Sequence, residues 1–349
     1  MRKMIFFISV IFLIILLAIR YRNVEFHQFE SRKLTLSRQQ IIEELSLRYP
    51  ESAKYVQCKR NALVHAESKL KKISPVTFSS LVAFTELSEL NASSTFMQEK
   101  IPYFIFRNSL LPEIFVFLYH DLCEIGLVFD RMNYFVETSQ KKISSMDDFE
   151  ITILAGYIGG AYDFRLSDVA QFFNEVRREK ISLNPFEERL LSDLLQLQLF
   201  KIGNDQFIPT ISGAVLGIMK SSPLAEHEFN HAIYFVNADY RKSINDFFRN
   251  LPDKEKKIVL RMLNHLTKGF AYNFEHDSDL LVREFAAYFR SPDIFAKYFL
   301  CSTSFVLDED SIQMMNKIAK QIRLLESNIP YYREFKTLLT LTNGCAEKK

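Results

Sequence analysis

The sequence predicts a mainly helical α+β protein, with a small sheet beside the helix that carries His227 and His231 and an apolar anchor helix ahead of the folded body. Three observations lead there: capped amphipathic helical segments crowd the chain after residue 150, alternating strand-like runs are scarce, and Met4 to Ile19 is uncharged and almost wholly apolar.

Size and composition set the frame. With 349 residues and 48% hydrophobic content the chain can bury a full core, as one large domain or two medium ones. Its 44 basic and 42 acidic residues are mixed along the sequence with no long block of one sign. Nucleic acid is therefore excluded as an expected partner.

The chain divides into three segments. Residues 1–23 read as a membrane anchor or uncleaved signal, because Arg2 and Lys3 precede the apolar run, Arg20 and Arg22 follow it, and Leu17-Ala18-Ile19 lacks the paired small residues of a cleavage site. Basic residues on both sides nearly cancel the charge bias that sets orientation, so either side of the membrane is open, with the periplasm or exterior preferred over the cytoplasm. Residues 24–145 read as a helix-rich region that ends in the polar stretch Glu137 to Asp148. Residues 146–340 carry the sharpest signals. Asn184, Pro185 and Glu187 supply an N-cap, a first-turn proline and a capping-box carboxylate. Ser167 precedes Val169, Phe172, Phe173 and Val176 on one helical face. Gln206 to Ile211 suits a short edge strand, and Asp147 to Leu154 is a weaker strand candidate.

Two tempting features carry little. Ala155 to Ala161 is glycine-rich but lacks phosphate-loop spacing, and a tight turn suffices for it. Cys58, Cys123, Cys301 and Cys345 are scattered with no CxxC pair, which favours buried free thiols over a thiolate zinc site.

The chemistry sits in Ser222 to Phe235. Ser222 reads as an N-cap and Pro223 as the first helical residue, so His227-Glu228-Phe229-Asn230-His231 lies on a helix. Histidines four apart stand one turn above each other and project from one face, where both can bind a single zinc ion. Glu228, next to the first ligand, falls beside the metal, in position to take a proton from bound water and return it to a leaving amine. Zinc needs a third protein ligand, and Glu284 is the choice. It lies on the apolar stripe of a capped helix over Ser278 to Arg290, among Leu280, Leu281, Ala287 and Tyr288, where a carboxylate is costly without a cation. Rival ligands rank lower: Glu255 sits in a charged run, His265 reads as a core histidine, and His276 and Asp277 suit supporting contacts. Tyr288, one turn beyond Glu284, is a candidate oxyanion stabiliser.

HEFNH followed in a later helix by Glu284-Phe285-Ala286-Ala287-Tyr288 resembles the glutamate-zincin metallopeptidases over roughly residues 205 to 300. The resemblance implies that residues 146–340 form a zincin-like metallopeptidase domain hydrolysing a peptide or protein substrate, with His227, His231 and Glu284 as metal ligands and Glu228 as general base. The span from His231 to Glu284 is longer than in thermolysin-like enzymes, and Arg283 stands where many such families carry Asn. A metzincin is ruled out by Tyr234 and Asn237, where Gly and His are needed. The alternative function is a non-catalytic zinc-binding or regulatory module, and hydrolysis of a non-peptide amide is a third.

Overall fold

The computed structural model describes residues 37–71, 81–84, 103–137, 143–154, 160–220, 222, 224–266, 274, 277–290 and 309–326. Helices dominate and a small mixed sheet runs through their middle, so the α+β, mainly helical expectation holds.

The chain opens with α1 (Arg38–Arg48), started by a capping box between Ser37 and Gln40, then α2 (Pro50–Val64) with proline in its first turn, and the short α3 (Ala66–Leu70). Strands β1 (Val82–Phe84), β2 (Tyr103–Asn108) and β3 (Ile114–Tyr119) follow, then α4 (Leu122–Glu137) and α5 (Met146–Leu154). Next come β4 (Ala161–Arg165), α6 (Leu166–Arg178) and α7 (Pro185–Gln196), a two-stranded hairpin of β5 (Phe200–Gly203) and β6 (Gln206–Pro209), and β7 (Ala214–Met219). The last part is helical: α8 (Ala225–Val236), α9 (Ala238–Asn250), α10 (Asp253–Leu266), α11 (Ser278–Arg290) and α12 (Glu309–Glu326).

The five-stranded sheet has the order β1-β2-β3-β7-β4, with β3 and β7 parallel at its centre and β4 antiparallel to β7 at one edge. It takes β1–β3 from before residue 145 and β4 and β7 from after it. Side chains alternate across it. Ile114, Val116, Leu118, Leu216 and Ile218 face a core shared with Phe229, Ile233, Phe285 and Ile318 of α8, α11 and α12. Phe115, Phe117, Tyr162, Phe164 and Val215 face a second core with Phe129, Phe172 and Leu194 of α4, α6 and α7. At Gly217 an added Cβ would lie 2.4 Å from the Phe129 ring, so only glycine lets α4 press that ring onto β7.

Several expectations are corrected. The helix-rich reading of residues 24–145 overlooked β1, β2 and β3, which form part of the sheet. Asp147 to Leu154 lies in helix α5 rather than a strand; Asp147 and Asp148 occupy its first turn, where carboxylates favour a helix, and Asp148 is bonded to Ser145. The helix of the histidines begins at Ala225, with Leu224 as N-cap, and Ser222 Oγ accepts instead from the Leu224 amide at 3.2 Å; Pro223 lies outside the described residues. Cys58 and Cys123 are not free thiols. They form a disulfide between α2 and the start of α4, with Cα atoms 5.9 Å apart. Cys301 and Cys345 lie outside the described residues.

The membrane placement is also corrected: among the described residues no helix is long and apolar enough to cross a membrane. The longest, α12, reaches 18 residues but bears Lys317, Lys320, Arg323 and Glu326. Residues 1–23, where the anchor was expected, lie outside the described residues, so neither a membrane partner nor an orientation of the body is carried forward.

Candidate metal centre

Helix α8 is buried nearly all round because it lies between the sheet and α11. Phe229, Ala232 and Ile233 go into the core, and His227, Glu228 and His231 are buried with them at 7%, 7% and 1% exposure. Such a position makes polar side chains expensive unless each finds a partner. The partners are on α11 and β4.

His227 Nε2 and His231 Nε2 stand 3.0 Å apart, with ring planes nearly perpendicular. Glu284 Oε2 of α11 lies 3.6 Å from the first and 3.7 Å from the second. Glu284 is itself 2% exposed, on the helix face that also buries Leu280, Leu281 and Ala287. The three side chains singled out in the sequence thus lie close together, and among the described residues His227, Glu228 and His231 form a buried group, their donor atoms within 4.8 Å of one another, that could hold a metal ion. Burial first, then the neighbouring His227 and Arg283, push His231 well below the ordinary histidine range. A neutral imidazole carries a lone pair and not a positive charge, so the His231–Glu284 approach is not an ion pair. Two ring nitrogens and one carboxylate oxygen converge on one point. Tetrahedral zinc with bonds of about 2.0–2.1 Å sets its ligand atoms roughly 3.3 Å apart, and these three separations bracket that value. The donor set, two imidazoles and one carboxylate, also suits zinc.

Glu228 stands one residue along the helix from His227, and its carboxylate lies within 4.8 Å of a ring nitrogen of each histidine. Its carboxyl group is raised well above the usual carboxylate range, by burial first, then by the charge of Asp163 and a hydrogen bond shared with it, then by Glu284. Asp163, on β4 and 9% exposed, is the residue that the sequence reading missed. A signal existed in the sequence: an acidic residue stands between Tyr162 and Phe164, just after the glycine-rich stretch. Arg283 joins the group. Its Nη1 is 3.6 Å from Asp163 Oδ2, its Nη2 is 3.9 Å from Glu284 Oε1, and its guanidinium lies 5.2 Å from the centre of the Phe235 ring.

Tyr288, one turn beyond Glu284, packs its ring 4.3 Å from that of His227. The rivals separate. Asp277 is exposed and caps α11, accepting from the Leu280 amide at 2.9 Å, and Glu255 accepts from Lys317 at 3.1 Å on the surface. His276 and the side chain of His265 lie outside the described residues. Tyr234, facing α11, donates to Asp279 at 3.0 Å and accepts from Asn245 at 2.8 Å; burial and then the Asp279 charge push its hydroxyl up to about 12, so it stays protonated.

Comparisons with protein-family models, with curated proteins and with solved structures returned no match for this chain, and its function has to be argued from the geometry of this centre.

Proposed function

We propose that the chain is a zinc metallopeptidase of the glutamate-zincin type, with His227, His231 and Glu284 as ligands and Glu228 as general base and then acid. The convergence of His227 Nε2, His231 Nε2 and Glu284 Oε2 at 3.0 to 3.7 Å carries this reading. A carboxylate and two imidazoles buried together, with burial favouring the neutral form of His231, make a donor set that a bound cation would stabilise.

When bound, zinc polarises a water molecule and the scissile carbonyl. The rest falls to side chains. Glu228 takes one proton as the water oxygen bonds to the carbonyl carbon, and delivers it to the leaving nitrogen as the C–N bond breaks. Glu228 suits that exchange because its buried carboxyl holds a proton more readily than a solvated one. Tyr288 flanks His227 on the side of α11 and is proposed to stabilise the oxyanion.

The test pairs two substitutions. His231→Ala should abolish zinc binding, whereas Glu228→Gln should keep one zinc per chain and slow peptide cleavage by about 10² to 10⁴. Equal cleavage by wild type and Glu228→Gln refutes the mechanism. A wild type that binds zinc but cleaves no member of a broad peptide library supports the regulatory module instead.

A further inference from the structure

We propose that Asp163, steadied by Arg283, is a positioning residue that fixes the Glu228 carboxyl beside the metal position. This deepens the peptidase reading and rests on it.

Strand alternation supplies the first reason. Tyr162 and Phe164 of β4 point into the core with α4 and α6, so Asp163 points to the other face, which α8 covers. There its carboxyl meets that of Glu228. The strand is a firm platform, since Asp163 is in register with Leu216 of β7 and its neighbour Tyr162 is hydrogen-bonded to the buried Asp130 on the opposite face.

The contact with Arg283 supplies the second. An aspartate kept only to neutralise a buried arginine is expected to form paired bonds of about 2.7–2.9 Å. Here the approach is 3.6 Å, and Asp163 Oδ2 makes no hydrogen bond. The carboxyl is therefore not given over to Arg283. Arg283 in turn reaches 3.9 Å from the ligand Glu284, so one guanidinium spans the supports of the base and of the metal.

The geometry supplies the third. Glu228 holds its carboxyl at the end of a flexible side chain, and a general base must be placed to within fractions of an ångström, since a misplacement of about 1 Å costs about 10²-fold in rate. The helix fixes its Cα, whereas only a neighbour can fix its carboxyl. Asp163 is that neighbour.

The experiment compares Asp163→Ala and Asp163→Asn, each alone and combined with Glu228→Gln. We expect Asp163→Ala to lower kcat about 10²-fold with little change in KM and full zinc content, and Asp163→Asn, which retains a hydrogen-bonding group at the same reach, to recover part of that loss. In the Glu228→Gln background either change should cost little more, because the group being positioned has already lost its function. Losses that multiply between Asp163 and Glu228 overturn the proposal, as that is how a residue serving only stability would behave. A crystal structure of zinc-free Asp163→Ala decides the point without metal or turnover: a displaced Glu228 carboxyl supports the proposal, and an unmoved one overturns it. A wild type lacking zinc or turnover defeats the peptidase reading alone, and that crystal structure still judges Asp163.

Discussion

Two buried polar clusters lie back to back across β4, and they differ in one respect. Behind Tyr162, the Asp130 carboxylate accepts from Lys59 Nζ at 2.8 Å, from Tyr55 at 2.9 Å and from Tyr162, while Lys59 also donates to the Gly126 carbonyl at 3.0 Å. Each charge there has its counterpart. In front of Asp163 the balance is open: His227 and His231 share one hydrogen bond beside the Glu284 carboxylate, while His231 Nδ1, Asp163 Oδ2 and both amide atoms of Asn230 make no hydrogen bond. A closed network specifies a fold, whereas an open one in an equally dry place needs something more. Burial alone does not separate structural from functional polar groups; the balance of donors and acceptors does.

The largest expected effect falls on the closed cluster. Lys59→Met leaves the Asp130 carboxylate buried without its cation and should cost about 3 to 5 kcal/mol, read as a lower midpoint in chemical denaturation, with zinc affinity little changed. If zinc affinity fell in step with stability, the two sides of β4 would not be separable.

The metal ion should act in the opposite direction, on the open cluster. Zinc present at 1,000 times its dissociation constant should stabilise the wild type by about 4 kcal/mol and raise its melting temperature. Glu284→Gln should remove much of that gain while leaving the zinc-free protein no less stable. Differential scanning calorimetry with and without a chelator measures both. A zinc response unaffected by Glu284→Gln would exclude that carboxylate as a ligand.

Next in size is the Cys58–Cys123 bridge, which closes a sequence separation of 65 residues beside the closed cluster. Reduction, or Cys58→Ser with Cys123→Ser, should cost about 2 to 4 kcal/mol. Because the bridge ties α2 to α4 and touches no ligand, zinc stoichiometry should not change. A loss of bound zinc on mild reduction would show that the outer helices support the centre.

How far the sequence could be read follows the same divide. Local chemistry was legible: Asn184 caps α7 through the Phe186 and Glu187 amides, with Glu187 closing the capping box, because all the participants lie within four residues. The histidine pair and Glu284 were legible as well, since helical period alone puts each on a buried face. The central strands were not. Ile114 to Tyr119 and Ala214 to Met219 are apolar on both faces because helices cover both sides of the sheet, so they lack the alternation that marks a half-exposed strand. Asp163 was overlooked for another reason: β4 is only five residues long, and the role proposed for Asp163 depends on a helix more than sixty residues away. The disulfide joins residues in different helices, and spacing says nothing about such a pair.

The smallest expected effect tests the open cluster in the absence of metal. Glu228, Asp163 and Glu284 crowd three carboxyl groups into one buried place, and burial and the Asp163 charge hold the Glu228 carboxyl above its ordinary range. An acid whose folded-state pKa is raised binds its proton more tightly folded than unfolded, so stability falls as pH rises above the unfolded value of about 4.3. Glu228→Gln removes that penalty with an isosteric neutral group. The zinc-free variant should therefore be more stable than zinc-free wild type, by more at about pH 8 than at about pH 5, where wild-type Glu228 is more fully protonated in both states. Thermal denaturation at the two pH values gives the comparison. A variant that is less stable at both would mean that Glu228 belongs with the closed cluster, as a structural hydrogen-bond partner of Asp163, and that the carboxyl proposed to move a proton is instead holding β4 to α8.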